Sequence, residues 1–448
     1  MNESETAQAA ISLAFRAEFC QDGNQSVSPY SNEGHRIFIG CGCIAACQAG
    51  KDQMSNQRTS LWQLFLIFLR LGLSSFGGPV AHLGYFRNEF VERRRWLSDQ
   101  AYADLVALCQ FLPGPASSQV VIGIGLSRAG FPGAMVASLG FTLPSMSLMI
   151  AFGYGLVTAG GDLGQAGWIH ALKVVAAAVV AQAVWAMARN LCPDRLRGTI
   201  ALAAAAVLVL WPSSMAQILA IVAGGLVGWR LCKTETPAEK GALPISMDSR
   251  TAAGMLIGYF ILLAFTLTPT GVSGVGWIDL FAAMYHAGAL VFGGGHVVLP
   301  LLEAETVRTG WVSQDAFLAG YGAAQALPGP LFTFAAFLGT VQSPAPNGWP
   351  GGLVATVAIF LPSFLLLFGA LPFWLRLRGN PAARSALAGI NAAVVGLLLA
   401  ALYDPVLTSA IRDGRDVALG LAAFALLELW KVPAWIVVIA AGVGAALL

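Results

Sequence analysis

Hydrophobic positions run along this chain in long blocks, not in the stripe of a surface helix or the alternation of a strand. No acidic, basic or histidine residue occurs from Ala129 to Gly161, from Gly198 to Trp229, or from Ala316 to Leu375. About 20 apolar residues span a hydrocarbon core, so these blocks predict several membrane crossings. Lipid leaves a bare backbone unsatisfied and no barrel-like alternation is visible, so the crossings are expected to be helices. The expected fold class is therefore an all-α, polytopic integral membrane protein. Glycine and proline interrupt the blocks at Phe76-Gly77-Gly78-Pro79 and Leu112-Pro113-Gly114-Pro115, and again at Phe292-Gly293-Gly294-Gly295 and Leu327-Pro328-Gly329-Pro330. These breaks predict discontinuous helices.

The breaks are two copies of one pattern. Trp96 and Trp311, Gln110 and Gln325, and Pro113 and Pro328 each stand 215 residues apart, and Phe76 and Phe292 stand 216 apart. Leu143-Pro144-Ser145 matches Leu361-Pro362-Ser363, and Ala177-Ala178-Val179-Val180 matches Ala392-Ala393-Val394-Val395. Gly/Pro-interrupted apolar segments at corresponding places in two halves are a pointer to a transporter's binding region. We divide the chain into a polar extension at 1–55, a first repeat at 60–232, a linker at 233–250 and a second repeat at 251–448. Each half ends in an apolar stretch broken near Trp211-Pro212 or near Trp430 and Pro433. Whether 199–231 crosses once or folds back as a hairpin is left open by the sequence.

Composition narrows the class. The chain is 57% hydrophobic and 11% charged, against about 25% charged in soluble domains. A formal charge of +2 does not suggest nucleic acid. Residues 1–55 lack a secretory signal pattern and read as disordered or as a mis-assigned start before Met54. Their Cys20, Cys41, Cys43 and Cys47 have no partnering set with zinc spacing, while Cys109, Cys192 and Cys232 suit helix contacts. The loop holding Arg87, Arg93, Arg94 and Arg95 is basic. Its counterpart has only Arg308 beside Glu303 and Glu305. Basic loops prefer the cytoplasm, so the halves are expected to be inverted. No phosphate-binding P-loop and no H-E-x-x-H occurs, so neither cofactor, metal nor enzymatic activity is expected. Energy should come from an ion gradient or the membrane potential.

The candidate chemistry gathers at the breaks. Proline ends a helix and glycine permits unusual backbone angles. A new helix starting after Pro115 would offer free N–H groups and a positive dipole end, with Ser117 and Ser118 adding hydroxyls. Pro328-Gly329-Pro330 repeats this, with Thr333 in register with Ser118. Two such starts facing each other would cradle an anion; two packing kinks are the plainer account. Gly77, Gly78, Pro79, Gly293, Gly294 and Gly295 read either as close helix approaches or as unwound backbone offered to a solute. His82 and His296 could relay protons or cap and pack. Gln110 and Gln325 could face a cavity or bond between helices. Arg70 lies inside an apolar helix and must face the bundle or snorkel. Arg87 could supply the counter-charge for a dianion, and Glu89, Glu303 or Glu305 could accept a proton if desolvated. Asn391 reads as interhelical glue.

The run from Phe76-Gly77-Gly78-Pro79 through Tyr85-Phe86-Arg87, Arg93-Arg94-Arg95-Trp96-Leu97 and Gln110-Phe111-Leu112-Pro113-Gly114-Pro115 closely resembles the chromate ion transporter family. Gly140-Phe141-Thr142-Leu143-Pro144-Ser145 extends the match, and the second set of motifs fits that family's long, two-repeat form. The resemblance covers about Leu61 to the C-terminus. It implies a proton-motive-force-dependent exporter of chromate in the bacterial inner membrane that confers chromate resistance, with sulfate as shape-matched competitor. Chromate, protons and the lipid bilayer are the implied partners, and a homodimer is an admissible assembly. The expected mechanism is rocking of one repeat against the other around a central dianion. Uptake of sulfate or another oxyanion, a passive anion channel and an intramembrane enzyme are the competing readings.

Overall fold

The computed structural model describes residues 59–158, 167–232, 247–267, 276–343, 345–374, 377 and 379–447. The expected extension at 1–55, with its cysteines, and most of the expected linker lie outside them. Among the described residues every regular element is helical. Five are long and apolar enough to cross a membrane: Ala116–Thr158, Gly167–Leu191, Ser249–Thr266, Gly348–Phe373 and Pro381–Ala410.

Each repeat opens with a broken pair. In the first, α1 (Leu61–Ser74) starts where Ser60 accepts from the Gln63 amide, and it stops at the Gly77 turn. Helix α2 (Gly78–Arg87) leaves that turn and runs on through wide turns at Asn88–Arg93. Ser98 then caps α3 (Asp99–Phe111) by accepting from Ala101 N–H. The Pro113-Gly114-Pro115 elbow follows, then α4 (Ala116–Thr158). Helix α4 is broken at Ala129 and Gly130 into a short limb, 116–128, and a long limb, 131–158. Leu105 of α3 lies against Gly123 of the short limb. Those residues are near-equidistant from the elbow, so the segment is a re-entrant hairpin. Gly125 and Gly133 bring the two limbs of α4 into backbone contact.

The second repeat rebuilds this unit. It contains α9 (Gly276–Ala289), a tight turn at Gly295–Val297, α10 (Val298–Thr306) and α11 (Gln314–Ala326). Ser313 caps α11 as Ser98 caps α3. After the second elbow come a single tight turn (Leu331–Thr333), α12 (Phe334–Val341) and α13 (Gly348–Ala370). Gly320 seats the Phe337 ring, and Gly339 meets Gly351. These contacts reproduce the Leu105–Gly123 and Gly125–Gly133 approaches of the first half. Helix α8 (Ser249–Thr266) precedes the second repeat and packs on α9 and α13, where Tyr259 donates to the Ala289 carbonyl.

Long helices α5 (Gly167–Leu191) and α14 (Pro381–Ala401) follow the hairpins. Short helices α6 (Arg195–Leu210) and α7 (Ser214–Leu231) end the first half, and α15 (Gly414–Glu428) and α16 (Ala434–Leu447) end the second. Each short pair packs on the other repeat's long helix: α6 and α7 on α14, α15 and α16 on α5. Gly396 of α14 meets Ala201, near the start of α6, and Gly389 meets Gly224, near the end of α7. These two α14 positions are about 10 Å apart at 1.5 Å per residue. The segment 199–231 therefore folds back as a hairpin. The apolar core is likewise shared. One cluster joins Phe68, Phe90 and Phe141 of the first repeat to Tyr285, Leu367 and Trp374 of the second.

Candidate functional site at the interlocked elbows

The two elbows are built into each other's repeats. Gly114 N–H donates to the Val291 carbonyl at 2.7 Å, and Gly329 N–H donates to the Ser75 carbonyl at 2.9 Å. Val291 and Ser75 are the residues just before Phe292 and Phe76, so each PGP elbow is tied to the glycine motif of the opposite half. Both elbow glycines have positive φ, +120° at Gly114 and +98° at Gly329, a region side-chain-bearing residues avoid. Space demands glycine as well. A Cβ at Gly114 would lie 2.7 Å from Ser363 Oγ, and one at Gly329 would lie 2.8 Å from Ser145 Oγ. Ser145 and Ser363 are the duplicated Leu-Pro-Ser serines, again from the opposite half. Gly295 closes the circuit, because a Cβ there would sit 2.9 Å from Pro79 Cγ. All four motifs thus meet at one place.

Several predicted residues act at this junction. His82, fully buried, points Nε2 at the Ser75 carbonyl at 3.1 Å. A carbonyl only accepts, so Nε2 carries the hydrogen there, and His82 braces the loop that holds Gly329. Its Nδ1 is buried without a partner. His296 Nδ1 lies 2.8 Å from the hydroxyl of fully buried Tyr321. Ser117 and Ser118 are buried at the start of α4, and the Ser118 hydroxyl has no protein partner. Gln325 is partly buried with Nε2 unpartnered, whereas Gln110 is exposed at the end of α3. Gly77, Gly293 and Gly294 are exposed, with Asn391 Oδ1, Met187 and Leu191 near Gly293.

Four expectations change. Arg87 is not a free counter-charge. Its guanidinium bonds Asp99 at 2.7 Å and also Glu92, and Asp99 first, then Glu92, raise its already high pKa. Glu89 is held by Arg94 at 2.6 Å and Arg93 at 3.2 Å, so it is not a bare proton acceptor. Thr333 does not mirror Ser118. Because the second elbow opens in a tight turn, the Thr333 hydroxyl donates to the Pro330 carbonyl at 2.8 Å. Glu303 and Glu305 lie away from the elbows in α10. Glu303 pairs with Arg308 at 3.1 Å, and Glu305 sits 2.8 Å from His286 Nδ1. The hollow beside Glu303 and Arg308 has about 20 Å³, room for about one water.

Sequence reasoning missed Gln119 and the serines around the elbows. Gln119 Nε2 donates to the Pro113 carbonyl at 2.8 Å, leaving Oε1 unpartnered. Ser75 Oγ and Ser363 Oγ are also buried without partners. The repeated Leu-Pro-Ser motif was the signal for Ser363. Nothing local marked Gln119, whose counterpart is Phe334. The outcome is asymmetric: the first elbow is surrounded by hydroxyl and amide groups, the second by Leu331, Phe332 and Phe334. Among the described residues no cluster of histidine, cysteine or carboxylate side chains could hold a metal.

Comparison with known proteins places this geometry. The sequence model of the chromate transporter family matches twice, at residues 62–229 and 278–446. A chromate transport protein of Pseudomonas aeruginosa is 31% identical over 398 residues, covering 85% of this chain and 90% of the relative. A chromate transport protein of Cupriavidus metallidurans is 30% identical over 373 residues, covering 83% and 88%. A probable chromate transport protein of Synechococcus elongatus is 29% identical over 376 residues, covering 83% and 90%. No solved structure matches the chain. With both repeats matched and most of each relative aligned, this multi-pass membrane protein belongs to the chromate transporter family.

Proposed function

We propose that this protein is a secondary transporter that exports chromate across the bacterial inner membrane, driven by the proton motive force. The observation that carries the reading is the junction of the two elbows. There Ser75 Oγ, Ser118 Oγ, Gln119 Oε1 and Ser363 Oγ are buried without a protein partner. Buried polar atoms are nearly always paired, and four orphans at one duplicated break suit a site that exchanges partners with a polar solute and its water. The amides and hydroxyls at 116–118 would replace part of a dianion's hydration shell, mainly from the first elbow. The names of the relatives supply the cargo.

Chain order supports opposite orientations for the repeats. The re-entrant hairpin of the first repeat returns to the side it left. The long limb of α4 and helix α5 then cross and return, and α6–α7 is a hairpin. Helix α8 adds one more crossing before the second repeat begins. The side reached after α5 carries Arg93–Arg95, Arg128, Arg189, Arg195 and Arg197 and is cytoplasmic by the positive-inside rule. Rocking of whole repeats would break the Gly114–Val291 and Gly329–Ser75 bonds together. The interlocked motifs therefore act as one unit, and access alternates by its movement against α5, α14 and their packed hairpins.

The test is chromate accumulation in everted vesicles, with and without an uncoupler, alongside Pro113 and Pro328 substitutions at normal membrane expression. Uptake that survives both substitutions removes the elbows as the site. Uptake that ignores the uncoupler turns the reading into a passive channel, and a preference for sulfate changes the cargo.

A further inference from the structure

We propose that the cavity between α1 and α2 is a cytoplasmic capture site for a doubly charged tetrahedral oxyanion, filled before the solute reaches the elbows. This rests on the transport reading above and adds a second site to it. The cavity has about 400 Å³ and is walled by Arg70, Ser74, Asn88, Glu89, Arg93 and Arg94. Helices α1 and α2 diverge from their shared turn at Gly77. Ser74 and Ala81 lie near the apex of the cavity, and Arg70, Arg93 and Arg94 lie toward its mouth. Ser74 adjoins Ser75, whose carbonyl receives the Gly329 amide, so the apex ends against the interlocked elbows.

Charge sets the ligand class. Arg93 and Arg94 share Glu89, at 3.2 and 2.6 Å. Arg70 is exposed and has no ion-pair partner among the described residues. Three guanidiniums against one carboxylate leave the walls two positive charges in excess, the complement of a dianion. Guanidinium forks match tetrahedral oxyanions well. An unpaired arginine inside the otherwise apolar α1 is costly, which a purely structural position does not explain. Trp96 lies under both Arg94 and Arg128, 5.4 and 4.8 Å from ring centroid to guanidinium carbon, and this fixes the Arg94 stem.

The other repeat supplies an internal control. The residues 216 positions after Arg70 and Glu89 are His286 and Glu305, which are buried and close on each other at 2.8 Å. Thr309 and Gly310 stand where Arg93 and Arg94 would be. The same scaffold is thus cationic and open in the first half, and shut and nearly neutral in the second. With the repeats inverted, the cationic cavity faces the cytoplasm and its counterpart faces the far side, as capture and release would require.

The same chemistry could be met by a free oxyanion or by a lipid phosphate, and the test separates them. Ser74→Cys protein is reconstituted in phosphatidylcholine vesicles, and maleimide labelling of the introduced thiol is read by mass spectrometry. Sulfate, but not chloride at equal ionic strength, should slow labelling, and Arg70→Gln should abolish that protection. In everted vesicles Arg70→Gln should raise KM for chromate about tenfold, the loss of one charge-assisted contact, with Vmax kept. Arg70→Lys should fall between it and the unmodified protein. Absence of sulfate protection, or a KM unmoved in a well-expressed Arg70→Gln protein, overturns the proposal. Slowing by phosphatidylglycerol vesicles without sulfate assigns the cavity to a lipid headgroup and overturns it too. Failure of the elbow substitutions to affect transport would leave the labelling result standing, so the two readings fail separately.

Discussion

Replacing Gly114 with alanine tests the interlock directly. At φ +120° an alanine backbone is strained by about 1–3 kcal/mol. Its Cβ would also lie 2.7 Å from Ser363 Oγ and 2.8 Å from Gln119 Nε2, closer than real Cβ atoms come. Ser363 is fully buried on α13 and has little room to yield. Gln119 can swing away only by releasing the Pro113 carbonyl, at a further cost of about 1 kcal/mol. The expected total is about 2–4 kcal/mol, seen as a melting temperature lowered by several degrees in detergent, with loss of chromate transport. Ser363→Ala removes one of the two clashes and none of the backbone strain. The double variant should therefore recover part of the loss, giving a coupling of about 0.5–3 kcal/mol in a double-mutant cycle. A Gly114→Ala protein as stable and active as the original refutes the reasoning. So does strict additivity with Ser363→Ala, since the two residues would then not be in contact.

Three further substitutions separate site from scaffold. Arg87→Gln should leave KM for chromate unchanged in vesicle assays, because its guanidinium is engaged by Asp99 and Glu92 at an exposed position. Gln119→Leu should lower stability by about 1–3 kcal/mol, the cost of orphaning the Pro113 carbonyl, in a thermal melt, and should impair transport. Lys173 is fully buried, with Nζ 2.7 Å from half-exposed Asp315. Asp315→Asn should therefore destabilise by about 2–3 kcal/mol, while Lys173→Met should stay within about 1 kcal/mol. Equal melting temperatures for those last two variants would show that the buried charge is not what the pair protects.

The parts of the fold legible in the sequence were those written twice. The duplicated PGP elbows, glycine motifs and Leu-Pro-Ser serines announced two broken-helix units, and all of them meet at the junction. What stayed hidden was which half each motif would touch. Reciprocity between Gly114 and Val291, and between Gly329 and Ser75, is a relation in space that no local spacing encodes. Arg87 misled because its neutralising partner, Asp99, lies across the Arg93–Arg95 loop, so the residue reads as unpaired until the chain turns. Thr333 misled because hydroxyl register survives in the sequence while its hydrogen bonding depends on the turn at Leu331–Thr333. The 199–231 hairpin needed the Gly389 and Gly396 contacts on α14 to be seen.

The scaffold is symmetric and the chemistry is not, and the difference follows a consistent direction. Matching positions place Ser118 and Gln119 opposite Thr333 and Phe334, Arg70 opposite His286, and Arg93 and Arg94 opposite Thr309 and Gly310. In each pair the first repeat keeps the group able to meet an anion, and the second has an apolar, self-bonded or neutral one. Symmetry in the backbone serves alternation, because two inverted copies can exchange inward and outward geometries at little cost in energy. Asymmetry in charge serves direction of capture, because a dianion is drawn into a cationic cleft far more readily than into a neutral one. Neither feature by itself fixes net flux, which the driving gradient must decide. An exporter needs the cationic cleft on the cytoplasmic side, and the position of α8 between the two repeats is what puts it there.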